Sequence, residues 1–254
     1  FWLKWFRLSF RSCRAWVAMP SLGLHIQSSE EADAAFLEVG GPDKLTVLDS
    51  ACLKHLFTTM RASSTSYPEF GRSARRLMTV LAEEAIARLP STPVTVETPC
   101  GKYEGMTLPS GSDVCVVSIV RAGDSLLECV RSVWPEVSVG KILIQRNEET
   151  ALPESYYCKL PPRISDKHVL LVDPMLATGG SAISAIQSVV DRGVPSSKIL
   201  FANVVAAKQG VASVLKAFPD VRIITAALDE GLNEKAYIVP GLGDYGDRYF
   251  GTDD

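Results

Sequence analysis

The stretch Val169-Leu170-Leu171-Val172-Asp173-Pro174-Met175-Leu176-Ala177-Thr178-Gly179-Gly180-Ser181 decides how the chain is read. Val169–Val172 is short and wholly apolar, as a parallel strand buried on both faces must be. Pro174 has no N–H for a sheet ladder, so the strand is expected to stop at Asp173. After Thr178-Gly179-Gly180-Ser181 a helical pattern begins, with Ala182, Ile183, Ala185, Ile186, Val189 and Val190 on one side. A strand, a tight glycine turn and a helix start, in that order, make an anion site. The glycines let backbone approach a phosphate, and the helix N-terminus supplies unpaired N–H groups and the positive end of its dipole. Thr178 and Ser181 add hydroxyls. The run is neither a Walker loop, which needs a Lys before the final Ser/Thr, nor a dinucleotide fingerprint, which needs three spaced glycines.

The carboxylate at the strand end separates this motif from both. Asp173 faces the same crevice as the loop, placing an acceptor for ribose hydroxyls beside a holder for a ribose phosphate. An acid after an apolar strand, followed by Ala-Thr-Gly-Gly-Ser, resembles the phosphoribosyl diphosphate (PRPP) motif of phosphoribosyltransferases. Most of these carry two adjacent acids. The Asp173-Pro174 variant is similar to that of the uracil phosphoribosyltransferase family, in its eukaryotic-type members. On that resemblance the PRPP run spans Asp173, Pro174, Met175, Leu176, Ala177, Thr178, Gly179, Gly180 and Ser181.

Outward from this centre, strands and helices alternate. Val47–Met60 reads as a helix, and Ser66-x-x-Glu69 as a capping box that opens a second helix with Pro68 in its first turn. The Pro-, Gly- and Thr-rich stretch Pro90–Asp113 predicts a hairpin or loop excursion around Gly101. Val114–Val120 is a buried strand ending in Arg121-Ala122-Gly123. Ile142–Ile144 is another, ending in Gln145-Arg146-Asn147-Glu148-Glu149-Thr150. Ala151–Lys167, with three prolines and Tyr156-Tyr157, suits an arm or flap. Strand Ile199–Val205, helix Lys208–Phe218, strand Val221–Thr225 and a short strand Tyr237–Val239 follow. The expected fold is α/β, a doubly wound parallel sheet with helices on both faces, plus a β-arm or hood. In such a sheet ligands sit beyond the carboxyl ends of the strands, where Arg121, Arg146 and Asp173 all fall. The planar forks of the two arginines suit phosphate oxygens.

Two further features rest on the resemblance. Arg121 and Arg146 match PRPP-site arginines, although Asp124 and Ser125 depart from many bacterial members and put an extra negative charge near a polyanion. The C-terminal Tyr237-Ile-Val-Pro-Gly-Leu-Gly-Asp-Tyr-Gly-Asp-Arg-Tyr-Phe-Gly-Thr252 matches the family's uracil loop. Backbone at Ile238, Gly243, Asp244 and Tyr245 would read the base, Asp244 would also touch PRPP, and Tyr245 would alter the pocket wall. The match runs from about Asp49 to the C-terminus.

Of the 254 residues, 46% are hydrophobic and 22% charged, which describes a globular chain able to bury a sizeable core. A net charge of −3 makes no electrostatic case for nucleic acid or an anionic membrane. No apolar run is long enough to span a bilayer. The six cysteines are scattered and the three histidines lack metal-ligand spacing, which suggests a reducing compartment and no protein metal site. Residues 1–40 are expected to be a non-core extension and 41–254 the functional domain. The basic, aromatic Phe1–Pro20 has the composition of a mitochondrial transit peptide, or of read-through ahead of a start at Met19; a non-core extension and a cytoplasmic enzyme are the preferred reading.

The resemblance implies the reaction of uracil with PRPP to give UMP and diphosphate, with Asp173, Arg121 and Arg146 as its catalytic residues. It also implies Mg²⁺ held mainly by the diphosphate, a homodimer or homotetramer, and GTP as a candidate effector. Ala62-Ser63 stands where many members have an acidic–Lys pair, which leaves GTP activation undecided. Two alternatives stay open at this point: a related phosphoribosyltransferase with another base, and a non-catalytic sensor of PRPP or nucleotides.

Overall fold

A computed structural model describes residues 41, 43–146 and 153–252. The extension 1–40 and the Asn147–Thr150 part of the Arg146 cluster lie outside the described residues, as does the Arg146 side chain. The strands are β1 (Leu45–Val47), β2 (Thr92–Thr98), β3 (Gly101–Thr107), β4 (Val114–Val120), β5 (Ser138–Arg146), β6 (Pro153–Lys159), β7 (His168–Val172), β8 (Met175–Leu176), β9 (Ile199–Ala207), β10 (Arg222–Asp229), β11 (Gly231–Leu232) and β12 (Ile238–Val239). The helices are α1 (Ala51–Arg61), α2 (Tyr67–Ile86), α3 (Gly123–Val133), α4 (Gly180–Val190), α5 (Lys208–Ala217) and α6 (Tyr245–Phe250).

The main sheet has the order β1-β10-β9-β7-β4-β5-β6, with β8 added against β9. Its pairs are parallel except for β5 with β6. The continuous apolar runs are the central strands, with all nine residues of β9 buried. Successive side chains alternate between two cores. Val114, Val116, Leu170 and Val172 pack with α1, α2, α3 and α6, whereas Cys115, Val117, Val169 and Leu171 pack with α4 and α5. Helices therefore cover both faces of a mostly parallel sheet, as expected. Burial also pushes the Cys115 thiol up to about 11, which leaves it an inert core residue.

Three expectations need correction. Val47 ends the edge strand β1, paired with β10, and the first helix starts only at Ala51, capped by the Ser50 hydroxyl accepting from the Cys52 N–H at 3.3 Å. A three-residue strand is too short to show its own periodicity, so it merged with the helix that follows. Ser66 is the N-cap of α2 but its side chain makes no capping bond. One of the two amides such a cap would reach is at position 68, and that residue is proline. Finally, much of the expected flap is sheet: β6 runs antiparallel along β5, with Lys159 opposite Lys141. The arm is instead the β2–β3 hairpin, a separate two-stranded sheet from Thr92 opposite Thr107 to Thr98 opposite Gly101.

Candidate active site

The chain stays pinned to the sheet for longer than its proline suggests. Beyond β7 the Asp173 N–H donates to the Ala202 carbonyl at 3.3 Å, and the Pro174 carbonyl accepts from both Val204 and Val205 at 2.8 and 3.0 Å. Met175 and Leu176 then re-pair with β9 as β8. Two residues of this run also brace the sheet: the Pro174 carbonyl accepts from β9, and the Leu176 side chain is buried in the α4/α5 core. The free turn is Ala177–Gly179. Gly179 adopts φ +90° as the N-cap of α4, so the first amides of the helix, from Gly180 through Ser181, open at the end of β7. Thr178 Oγ1 accepts weakly from the Gly180 N–H at 3.5 Å.

Helix α5 presses on this turn from behind. A Cβ on Gly210 would stand 2.5 Å from the Ala177 carbonyl oxygen and 2.8 Å from that of Leu176. The glycine sits in what reads as an ordinary amphipathic helix. An isolated glycine inside that pattern was the one available sign of a close approach.

Asp173 is half-buried as a residue, yet protein encloses its carboxyl closely enough that burial raises its pKa to about 7, opposed only by a hydrogen bond from the Met175 N–H. A hydroxyl or cation delivered by a ligand would restore its charge. Arg121, half exposed, leaves β4 across a cis Val120–Arg121 peptide and points at the C-terminus. Its guanidinium donates to Asp247 Oδ1 at 2.7 Å and Thr252 Oγ1 at 3.1 Å, and lies 5.4 Å from the Phe250 ring centre. Bonds from Thr252 and Arg121 hold the Asp247 carboxyl below its ordinary value.

The charge on Asp124 does not stand unopposed. Its oxygens accept from the Ser118 hydroxyl at 2.7 Å and from Lys141 Nζ at 2.9 Å. The expected repulsion of a polyanion is therefore largely cancelled by a cation on β5.

The C-terminal loop runs from β12 to α6. Ile238 is buried in the core, Gly243 and Asp244 are exposed, and Asp244 caps α6 by accepting from the Asp247 N–H at 3.0 Å. Tyr245 departs from expectation. Its side chain is 1% exposed, so it forms core rather than pocket wall. The ring meets Phe70 edge-on at 5.6 Å and stacks on Tyr249 at 5.5 Å, and the hydroxyl lies 2.9 Å from Ser125 Oγ. Burial raises the phenol well above its ordinary pKa; the Ser125 bond opposes this, and nearby Asp173 is among the charges that add to it. Ser125 also donates to the Ala122 carbonyl at 2.7 Å, which links the Arg121 turn to the C-terminal loop through the core. The two residues that looked like independent departures are one contact.

Sequence reading missed three more residues at the loop. Arg61 and Asp229 form a forked ion pair, and Arg248 reaches the end of α1. Neither an acid ending an apolar strand nor an arginine ending a surface helix carries a signal of its own in the sequence.

The fold resembles that of the adenine phosphoribosyl transferase from Trypanosoma brucei, solved with AMP, pyrophosphate and ribose-5-phosphate: TM-score 0.50, 12% identity, 76% of this chain and 87% of that one. It is closer to the AQ2163 protein from Aquifex aeolicus, with TM-score 0.70, 33% identity and coverage of 81% and 97%. Fold and strand-end site together define a phosphoribosyltransferase. The uracil phosphoribosyltransferase family profile matches residues 47–252. The chain is 45% identical to the enzyme of that name from Dictyostelium discoideum over 215 residues, covering 84% of this chain and 99% of the relative. It is 47% identical to the one from Saccharomyces cerevisiae over 196 residues, covering 77% and 90%. The chain belongs to the uracil phosphoribosyltransferase family.

Proposed function

We propose that the residues gathered at the ends of β4, β5 and β7 carry out the transfer of phosphoribose from PRPP to uracil, giving UMP and diphosphate. The observation that supports this best is the position of Arg121: a strand-end arginine suited to diphosphate lies directly on the helix that begins at the base loop. The amides and hydroxyls of Thr178–Ser181 hold the 5′-phosphate. Asp173 accepts from the ribose hydroxyls. Arg121 and Arg146 neutralise the diphosphate, with Arg121 leaving Asp247 to do so. Backbone at Ile238 and Gly243–Tyr245 reads the base, with Asp244 also near PRPP.

The displacement at the anomeric carbon passes through an oxocarbenium-like state. Catalysis is then chiefly positioning and charge stabilisation. Mg²⁺ would be carried by the diphosphate rather than by a protein cage, and would add to the charge neutralisation that Arg121 and Arg146 supply. Of the finer assignments, residues 41–254 form the catalytic domain and 1–40 a non-core extension, the enzyme works in the cytoplasm as a homodimer or homotetramer, and GTP is its candidate effector. Among the described residues no helix is long and apolar enough to cross a membrane.

Competition between uracil, cytosine, hypoxanthine and 5-fluorouracil with PRPP tests the reading. Fixed backbone donors and acceptors that match uracil face like groups on cytosine, and such sites discriminate by about 10⁴–10⁵. 5-Fluorouracil keeps the same edge and should be a substrate. A preference for cytosine or a purine would refute the uracil assignment and leave the PRPP site standing.

A further inference from the structure

We infer that Arg61 and Asp229 are positioning residues for the uracil subsite, acting through Gly241; the inference rests on the base-loop reading above. The guanidinium of Arg61, at the last residue of α1, donates through both terminal nitrogens to the two oxygens of Asp229 at 2.7 Å each. The same pair seizes Gly241 from both sides. Arg61 donates to the Gly241 carbonyl at 2.8 Å, and Asp229 accepts from the Gly241 N–H at 2.8 Å. Asp229 is 6% exposed and Arg61 24%, so water competes little for these bonds. Gly241 itself has φ +55°, and a Cβ there would come within 2.0 Å of the Ile238 carbonyl oxygen. Both polar groups of the Gly241 backbone are thus held, its carbonyl by Arg61 and its N–H by Asp229, in a conformation that a side chain could not adopt.

A second arginine repeats the connection in the opposite direction. Arg248 of α6 donates to the carbonyls of Met60 at 2.6 Å, Leu242 at 2.7 Å and Ala62 at 2.7 Å. The loop residues 241 and 242 are therefore fixed to the end of α1. The next two residues, Gly243 and Asp244, are exposed. They leave the clamp at the point where the base is to be read. Neither Arg61 nor Asp229 bonds to the phosphate loop or to Arg121. Loosening the pair displaces base-reading backbone first and leaves Asp173 and the Thr178–Ser181 turn, on separate elements, in place. Hydrogen-bond readout is sensitive to sub-ångström shifts, so the effect falls on uracil.

The test is steady-state kinetics of Arg61→Lys, which keeps the charge and loses the fork, and Asp229→Asn, which keeps the shape and loses the charge, with melting temperatures measured in parallel. The expected result is a rise of about tenfold or more in KM for uracil with KM for PRPP within about twofold, and weaker discrimination against cytosine. Equal rises in both constants, or an unchanged uracil constant, overturn the inference. Loss of soluble protein in both variants assigns the pair to folding and overturns it as well. Wild-type protein that turns over another base but not uracil refutes the base reading itself, and is distinguished by needing no variant at all.

Discussion

Gly210→Ala adds one methyl group at the place where α5 meets the turn Ala177–Gly179, proposed above to lead into the phosphate site. Its Cβ would lie 2.5 Å from the Ala177 carbonyl oxygen, 2.8 Å from the Leu176 oxygen and 2.9 Å from Leu176 Cγ. The two oxygens are backbone, and Leu176 is held by β9, so no flexible side-chain tip is available to swing away. To recover ordinary contact the turn and helix must separate by about 0.9 Å. Overpacking of this kind costs about 1–3 kcal/mol, reduced by the roughly 1 kcal/mol that alanine gains over glycine in a helix. At about 2–4 °C per kcal/mol, melting falls by up to roughly 8 °C. The displacement falls on Ala177–Gly179, so misplacement of the bound phosphate near 1 Å lowers kcat/KM for PRPP by up to about 10²-fold. Gly71→Ala, in the second turn of α2, is the control, because its Cβ meets nothing closer than the Tyr249 oxygen at 4.0 Å. The same chemical change there should raise stability by about 0.5–1 kcal/mol and leave kinetics alone. Thermal melts and PRPP saturation curves on both variants decide the matter. Gly210→Ala with wild-type melting and wild-type PRPP kinetics would refute the reasoning.

Asp173→Asn should abolish most turnover yet raise stability at pH 8. The folded pKa near 7 lies above the unfolded value, so ionisation is disfavoured in the fold; stability is complete below about pH 4 and is lost as pH rises toward 7. The Asn variant escapes that loss, which is at most about 4 kcal/mol and is reduced by the residue's partial solvation. The difference in melting temperature between variant and wild type should therefore shrink as pH falls from 8 to 4; a constant difference would contradict the raised pKa. Arg121→Ala and Arg146→Ala should each reduce PRPP efficiency by about tenfold or more with the fold intact, and lysine should rescue only partly. Near-normal kinetics in both would remove them from the site. Tyr245→Phe and Ser125→Ala should each lose about 0.5–1.5 kcal/mol, and the double variant less than the sum, as read by denaturant melts. Strict additivity would mean that the two hydroxyls do not interact.

The order of strands and helices was legible because period and punctuation are local. Val169–Val172, Val114–Val120 and the helix after Gly179 follow from apolar runs, prolines and glycines within a few residues of one another. The glycine turn and the acid before it were legible for the same reason: Asp173 and Thr178–Ser181 share one connection. What required the folded chain was every relation between distant segments. Tyr245 sits in a loop that looks like a pocket, yet its ring has gone to the core because Phe70, Tyr249 and Ser125, from other parts of the chain, make a buried site for it. Asp124 appeared to be a stray charge until Lys141 on the next strand met it. Arg61 reaches Asp229 across 168 residues, and Gly210 supports a turn some thirty residues before it. Sequence alone therefore determined which groups were available and the local backbone that carries them. Tertiary structure decided which side chains face the crevice and which brace it, because burial and hydrogen-bond partnership depend on packing between elements that no window of neighbouring residues contains.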